Sequence, residues 1–279
     1  MGPPYTPRRT DHKPTPPARS TMRLKDKVVL VTGSTTGIGE AIARRAIDEG
    51  AQVLIHGRDR ERGEALVAEL GERAALHTDD IADPAAAPRI VAAAVAAFGR
   101  LDTLVNNAAS VKRSNLSNTD VALFDQMIAT NLRAPLLLIQ AALPHLRESS
   151  GCVLNIGSVN GYCGEANLLA YSISKGGLIT LSRNLADALG RDGVRVNHFN
   201  VGWVLTPNEY EVKIADGMPP DWPQRVPRSK APSGRLMKPE EIAAAAVYWM
   251  GDESRPISGT VLELEQHPVI GRNPPKELE

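Results

Sequence analysis

The sequence predicts an α/β fold, a doubly wound parallel sheet with helices on both faces, in one domain over about 23–270. Three observations carry this. Short β-branched apolar runs alternate with segments of helical periodicity. The apolar runs are nearly continuous rather than alternating in polarity, as in strands buried on both faces. A glycine-rich turn joins the first run to the first helical segment, and no compositional break divides the region that follows.

The elements follow in order. VVLVT (28–32) is the first buried strand, rich in β-branched residues. IGEAIARRAIDEG is helical, with Gly50 placed to end it. AQVLIH (51–56) is the second strand and DRERGEALVAELG the second helix. AALHT precedes a helix reaching Phe98, and DTLVN precedes a long helix near 120–148. CVLNIGS, a helix from about 168 to 190, and VRVNHF continue the pattern. A helix near 239–250 and the strand TVLELE close it.

Residues 1–22 carry six prolines and a basic excess, and this composition predicts a disordered tail. It has no apolar core of a secretory signal, and its prolines oppose an amphipathic transit helix. Met22 is an alternative start. Residues 271–279 read as a C-terminal tail. Lys plus Arg equals Asp plus Glu at 32 each, so no global field favours nucleic acid or an anionic membrane. No apolar run approaches membrane-spanning length. Cys152 and Cys163 suit neither a metal site nor a disulfide framework, so no metal and a reducing cytoplasm are expected.

The turn TGSTTGIG (32–39) places glycines at 33, 37 and 39, so that a diphosphate can approach the amides at a helix N-terminus. A tight strand–helix connection is the simpler alternative. The second strand ends in HGRDRE, with Gly57 where a ribose-binding carboxylate would select NAD, and Arg58 next to it. This favours NADP with Arg58 on the 2′-phosphate, NAD remaining possible. Asp59 is the counter-candidate, although it is also placed to cap the next helix.

YSISKGG puts Tyr171 and Lys175 one helical turn apart on one face. An ammonium beside a phenol favours the phenolate, which predicts a lowered Tyr171 pKa and a general acid/base. In MIATNLRAPLLLIQ, Pro135 has no N–H to offer the carbonyl of Asn131, so a kink and a water-filled vacancy are expected there. Asn131 could alternatively tie two helices together.

Taken in order, TGSTTGIG, Asp80, NNAA (106–109), Asn131, Ser158, Tyr171 with Lys175, VGWVLT and KPEEIAAAAVYWMGDESRPISG resemble the short-chain dehydrogenase/reductase family over about 23–265. The resemblance implies a single Rossmann-like domain and an NAD(P)-dependent oxidoreductase. In it Tyr171 exchanges a proton with the substrate oxygen, Ser158 donates a hydrogen bond to that oxygen, and Lys175 holds the nicotinamide ribose. The Asn131 carbonyl holds a relay water. The resemblance assigns Gly33, Thr35, Thr36, Gly37, Ile38 and Gly39 to the diphosphate loop. Asp80 and Ile81 fall at the adenine, with Asp79 a competitor, and Asn107 and Ala108 at the adenosine ribose. Gly202 and Val204 lie at the carboxamide, and Thr206 at the diphosphate. It also implies a homotetramer or homodimer through the 120–148 and 168–190 helices and through the last helix and strand.

The chain departs from the family pattern at Ala109, for glycine, at Val201, for proline, and at ELEQHPVIG, which brings Gln266 and His267. Val201 is expected to loosen its segment, and His267 to lie at the surface or border the pocket. The stretch at about 206–235 reads as a substrate lid, with Tyr210, Met218 and Trp222 either lining a pocket or packing the lid. A small polar ketone or polyol is the expected substrate. The alternatives are a 3-oxoacyl thioester reductase and a catalytically silent NADP-binding scaffold.

Overall fold

The computed structural model describes residues 22–269. Of the predicted tail over 1–22, all but Met22 lies outside the described residues, as does the tail 271–279.

Seven strands form one sheet: β1 (Val28–Val31), β2 (Gln52–Gly57), β3 (Ala74–Thr78), β4 (Thr103–Asn106), β5 (Cys152–Ser158), β6 (Arg195–Val201) and β7 (Val261–Leu264). The order is β3-β2-β1-β4-β5-β6-β7, every pair parallel. The order reverses between β1 and β4, which opens a crevice at the carboxyl ends of the strands.

Helices α1 (Gly37–Asp48) and α9 (Pro239–Met250) cover one face, over a core containing Val29, Val31, Val105 and Phe199. The other face carries α3 (Ala86–Phe98), α5 (Ala134–Glu148) and α7 (Leu169–Leu189), over Leu30, Leu104, Leu138 and Val153. Helix α2 (Arg60–Leu70) flanks β2 and β3. The central strands therefore bury side chains both above and below, which is why β1 reads as an unbroken apolar run, whereas β6 is equally buried yet carries Arg195, Asn197, His198 and Asn200.

The long helix near 120–148 is α4 (Val121–Ile128), a π-turn over Ala129–Arg133, and α5. The disturbance falls where Pro135 removes the N–H four residues after Asn131, as expected. One expectation is corrected. The 28-residue stretch Val121–Glu148 is long and apolar enough to cross a membrane by length and composition. Its charged residues are too few and too scattered to break that count, although no single run is uninterrupted. In the fold it packs against α3 and α7.

Val201 does not loosen its segment. Strand β6 runs through it, pairing Val201 with Ser158 on one side and Leu264 on the other, because valine, unlike proline, fits a central ladder. Two helices were not anticipated, α6 (Asn160–Cys163) and α8 (Pro207–Ala215) in the lid. The stretch expected to be a lid packs around a small core of Trp222, Ala231 and Leu236. Trp203 and Tyr210 stack on Trp222 at 5.8 and 6.3 Å between ring centroids. Burying an indole removes about 200 Å² from water, worth roughly 5 kcal/mol, so the lid is held down by aromatic packing.

Candidate active site

The glycine turn is built for close approach. Gly33 and Gly37 both have φ +63°, and a Cβ on Gly33 would stand 2.8 Å from Ala108 Cα. A Cβ on Gly39 would stand 2.4 Å from the Gly33 carbonyl oxygen. Thr36 caps α1 in an extended conformation and makes no side-chain cap bond, so the first-turn amides remain available to an anion. Thr35 packs its methyl against Gly57, where a Cβ would come within 2.7 Å of it. This cradle fits a dinucleotide diphosphate. When bound, such a cofactor supplies or accepts the hydride.

Asn107 lines the cavity, but its side-chain amide is committed to the turn, donating to the carbonyls of Thr32 (2.9 Å) and Gly33 (3.0 Å). The Asn107 and Ala108 amides both donate to Thr32 Oγ1. Ala109 does not adopt positive φ, so its replacement of glycine carries no strain.

The residues expected at the adenosine end of a cofactor separate clearly. Asp59 is the N-cap of α2, accepting from the Arg62 amide at 3.0 Å. Arg58 is exposed, and no side-chain bond to it is found among the described residues. Asp79 is held by Arg89 at 2.8 and 2.9 Å, which pulls its carboxyl down to about 2 against the cost of burial. Asp80 uses one carboxylate oxygen on the Ala82 amide and is the freer of the two. The Ile81 side chain belongs to the core beneath α3, which leaves its backbone alone to face a ligand.

Ser158 ends β5, and Tyr171 and Lys175 sit in the first two turns of α7. They line one cavity of about 560 Å³ at the carboxyl ends of the sheet, together with Ile38, Gly202, Val204 and Thr206. Asn131 lies behind them. Its Oδ1 accepts from the Ser110 amide (2.8 Å), and its Nδ2 donates to the Ser110 carbonyl (2.9 Å) and Ser174 Oγ (3.0 Å). The Asn131 side chain therefore does tie the π-turn to its neighbours.

The electrostatics correct one expectation. Burial pushes the Tyr171 phenol up to about 12, only partly opposed by the Ser158 hydroxyl and reinforced by the charge of Glu209. Lys175 is almost fully buried and donates to the Ile156 carbonyl at 2.8 Å. Desolvation brings it down to about 8. The expected lowering of the phenol is therefore absent, because burial of the phenol dominates.

These residues match a known pattern. The model of the enoyl-(acyl carrier protein) reductase family matches residues 33–265. The chain belongs to the short-chain dehydrogenase/reductase family. This short-chain dehydrogenase/reductase is an NAD(P)-dependent enzyme. It is similar to the L-fucose dehydrogenase of Mus musculus, 37% identical over 227 residues, covering 81% of this chain and 82% of the relative. It is also similar to the meso-2,3-butanediol dehydrogenase of Serratia marcescens, 29% identical, covering 91% and 99%. Among solved structures it resembles a 3-ketoacyl-(acyl-carrier-protein) reductase from Brucella melitensis complexed with NADH. That match has a TM-score of 0.77 and 29% identity, covering 86% of this chain and 97% of that one.

Other cavity residues of this short-chain dehydrogenase/reductase escaped the sequence reading: Arg113, Asn160, Asn208, Glu209, Lys213 and Lys230. Tyr210 and Trp222 pack the lid, and neither they nor Met218 lines the cavity. The signal for α8 was present in TPNE: Thr206 caps the helix by accepting from the Glu209 amide, with Pro207 in the first turn. His267 lines the cavity mouth. Gln266 ties the C-terminal segment to the lid, bonding Ser233 and the Arg235 carbonyl.

Proposed function

We propose that this enzyme reduces small polar ketones, or oxidises the corresponding polyols, with NADP as the preferred coenzyme. The polar side chains gathered at the reacting pair carry the reading. Beside Ser158 and Tyr171 stand Asn160, Asn208, Glu209, Lys213 and Lys230, among apolar residues that include Leu168, Trp203 and Val212, while Tyr210 and Trp222 turn into a core of their own. Such a surface rewards a substrate bearing hydroxyls and leaves polar groups unpaired against a long hydrocarbon. The relatives named for L-fucose and butanediol support it.

A phenol at about 12 carries its proton at neutral pH, which suits donation to a developing alkoxide. Ser158 donates a hydrogen bond to the same oxygen, and the adjoining Lys175 holds positive charge and sugar hydroxyls nearby. Arg58, unpaired at the end of β2 while Asp59 is spent as a cap, supports NADP. Assembly into a homotetramer or homodimer, through α4–α5 with α7 and through α9 with β7, and a cytoplasmic location belong to the same reading.

A 3-oxoacyl thioester reductase is the second reading, favoured by the family description and the Brucella neighbour. A silent scaffold is disfavoured by the complete set of Asn131, Ser158, Tyr171 and Lys175.

The test is fluorescence titration of NADPH and NADH against wild type and Arg58→Ala, followed by turnover on a panel of polar ketones and 3-oxoacyl thioesters. NADPH should bind about 10- to 100-fold tighter, with the difference erased in Arg58→Ala. Equal binding of NADH would remove Arg58 as selector. Turnover confined to thioesters would replace the substrate class.

A further inference from the structure

We propose that Glu209 determines substrate specificity, its Oε2 accepting a hydrogen bond from a hydroxyl on the carbon adjacent to the reacting carbonyl. This rests on the polar-ketone reading above.

Three carboxylates line the cavity: Glu165, Glu209 and Glu265. Glu265 is spent at both oxygens, Oε2 accepting from the Trp203 amide at 3.0 Å and Oε1 from the Gln266 amide at 2.7 Å. Glu165 takes Asn160 Nδ2 on Oε2 at 3.3 Å and has Arg113 at 4.0 Å from Oε1. Glu209 differs. Its Oε1 accepts from Trp203 Nε1 at 2.8 Å, and Lys213 Nζ lies 4.0 Å from that same oxygen. No donor reaches Oε2 among the described residues.

The position is also fixed. Glu209 sits in the first turn of α8, whose start is clamped by the Thr206 cap at 3.0 Å. Its side chain is 24% exposed, and the Trp203 bond falls on Oε1, away from the open oxygen. It lines the same cavity as Ser158 and Tyr171, and its charge is felt by the Tyr171 phenol.

The chemistry selects a neutral donor. An anionic substituent would be repelled by the carboxylate, and Lys213 already supplies the local cation. A hydroxyl satisfies the open oxygen. A plain ketone, or an oxoacyl chain without a hydroxyl beside the carbonyl, leaves the carboxylate oxygen desolvated and unpaired.

The discriminating experiment measures kcat/KM for acetoin and butan-2-one, which differ by that one hydroxyl, with the tighter-binding reduced coenzyme. Wild type, Glu209→Ala and Trp203→Phe are compared. Wild type should prefer acetoin by about 10- to 100-fold. Glu209→Ala should bring the ratio close to one, mainly through a higher KM for acetoin. Trp203→Phe breaks the same lid contact but leaves the carboxylate, so it should retain most of the preference.

The proposal is overturned if wild type shows no preference. It is equally overturned if Glu209→Ala and Trp203→Phe depress both ketones alike, which would make Glu209 a lid latch. Coenzyme binding without turnover of either ketone is a separate pattern: it defeats the polar-ketone reading itself, and this proposal with it.

Discussion

Lys175 Nζ stands 5.7 Å from the centroid of the Tyr171 ring and gives its hydrogen bond to the Ile156 carbonyl at 2.8 Å. The two groups share a helix face, as their spacing requires, but they titrate in opposite senses, the phenol rising to about 12 and the ammonium falling to about 8. The first group to lose its proton on the alkaline side is therefore Lys175. We expect kcat/KM for carbonyl reduction to fall above about pH 8 while the phenol still holds its proton. A profile flat to pH 10 would show that the charge on Lys175 is not required.

The same burial makes Lys175 costly to the fold. Its folded pKa lies below the unfolded value, so between about 8 and 10.5 the unfolded chain binds more protons and stability rises with pH. Below that window the buried charge costs about 3 kcal/mol, offset by about 1 kcal/mol for its hydrogen bond. Lys175→Met should abolish turnover yet raise unfolding stability at pH 7 by about 2 kcal/mol. That gain should shrink as pH approaches 10.5. Denaturant melts at pH 7 and pH 10 give both numbers; a loss of stability at pH 7 would refute the account.

Tyr171→Phe removes the proton donor and keeps the ring. Turnover should fall by about 10²- to 10⁴-fold while coenzyme affinity changes little. Stopped-flow reduction together with a binding titration separates the two effects, and retention of wild-type turnover would place the acid elsewhere.

Pro135 leaves the Asn131 carbonyl without a donor four residues on, within the π-turn at Ala129–Arg133. A water between Asn131 O and Lys175 is the expected occupant. Pro135→Ala supplies the missing N–H, so turnover should drop severalfold with stability within about 1 kcal/mol of wild type. A high-resolution map with a dry gap at Asn131 would defeat the relay, whatever the kinetics.

Gly33 combines φ +63° with a backbone neighbour 2.8 Å from any Cβ. Gly33→Ala should cost roughly 1–2 kcal/mol in backbone strain. By displacing the turn, it should also weaken coenzyme binding at least about tenfold. Isothermal titration checks this; unchanged affinity would mean the turn does not hold the diphosphate.

Gln266 joins the C-terminal segment to the lid through Ser233 Oγ at 2.6 Å and the Arg235 carbonyl at 2.7 Å. Gln266→Ala should raise KM for the ketone severalfold and leave coenzyme Kd unchanged. Equal effects on both would assign the residue to the whole fold rather than to the lid.

Local chemistry made most of this architecture legible in the sequence. Strands buried on both faces favour apolar, β-branched residues, so VVLVT announced itself, and AALHT and CVLNIGS match β3 and β5 to the residue although Asn155 and Ser158 are buried polar groups. The glycine turn was legible because its φ values and close contacts admit no side chain at Gly33 or Gly39. The spacing of Tyr171 and Lys175 and the π-turn before Pro135 follow from helix geometry alone.

What depended on distant packing was hidden. Whether the phenol is lowered by Lys175 or raised by its own burial is decided by how far α7 is sunk against β5, and no spacing rule reports desolvation. The bonds of the Asn107 amide to the turn were hidden because they depend on the Thr32 and Gly33 carbonyls lying within its reach. The lining of the cavity was decided by which face of α8 the Trp203–Trp222–Tyr210 stack turns inward. That stack turns Tyr210 and Trp222 away from the cavity and leaves Trp203, Glu209 and Lys213 in the site. Side chains far apart in sequence meet there only because the sheet brings their strand ends together.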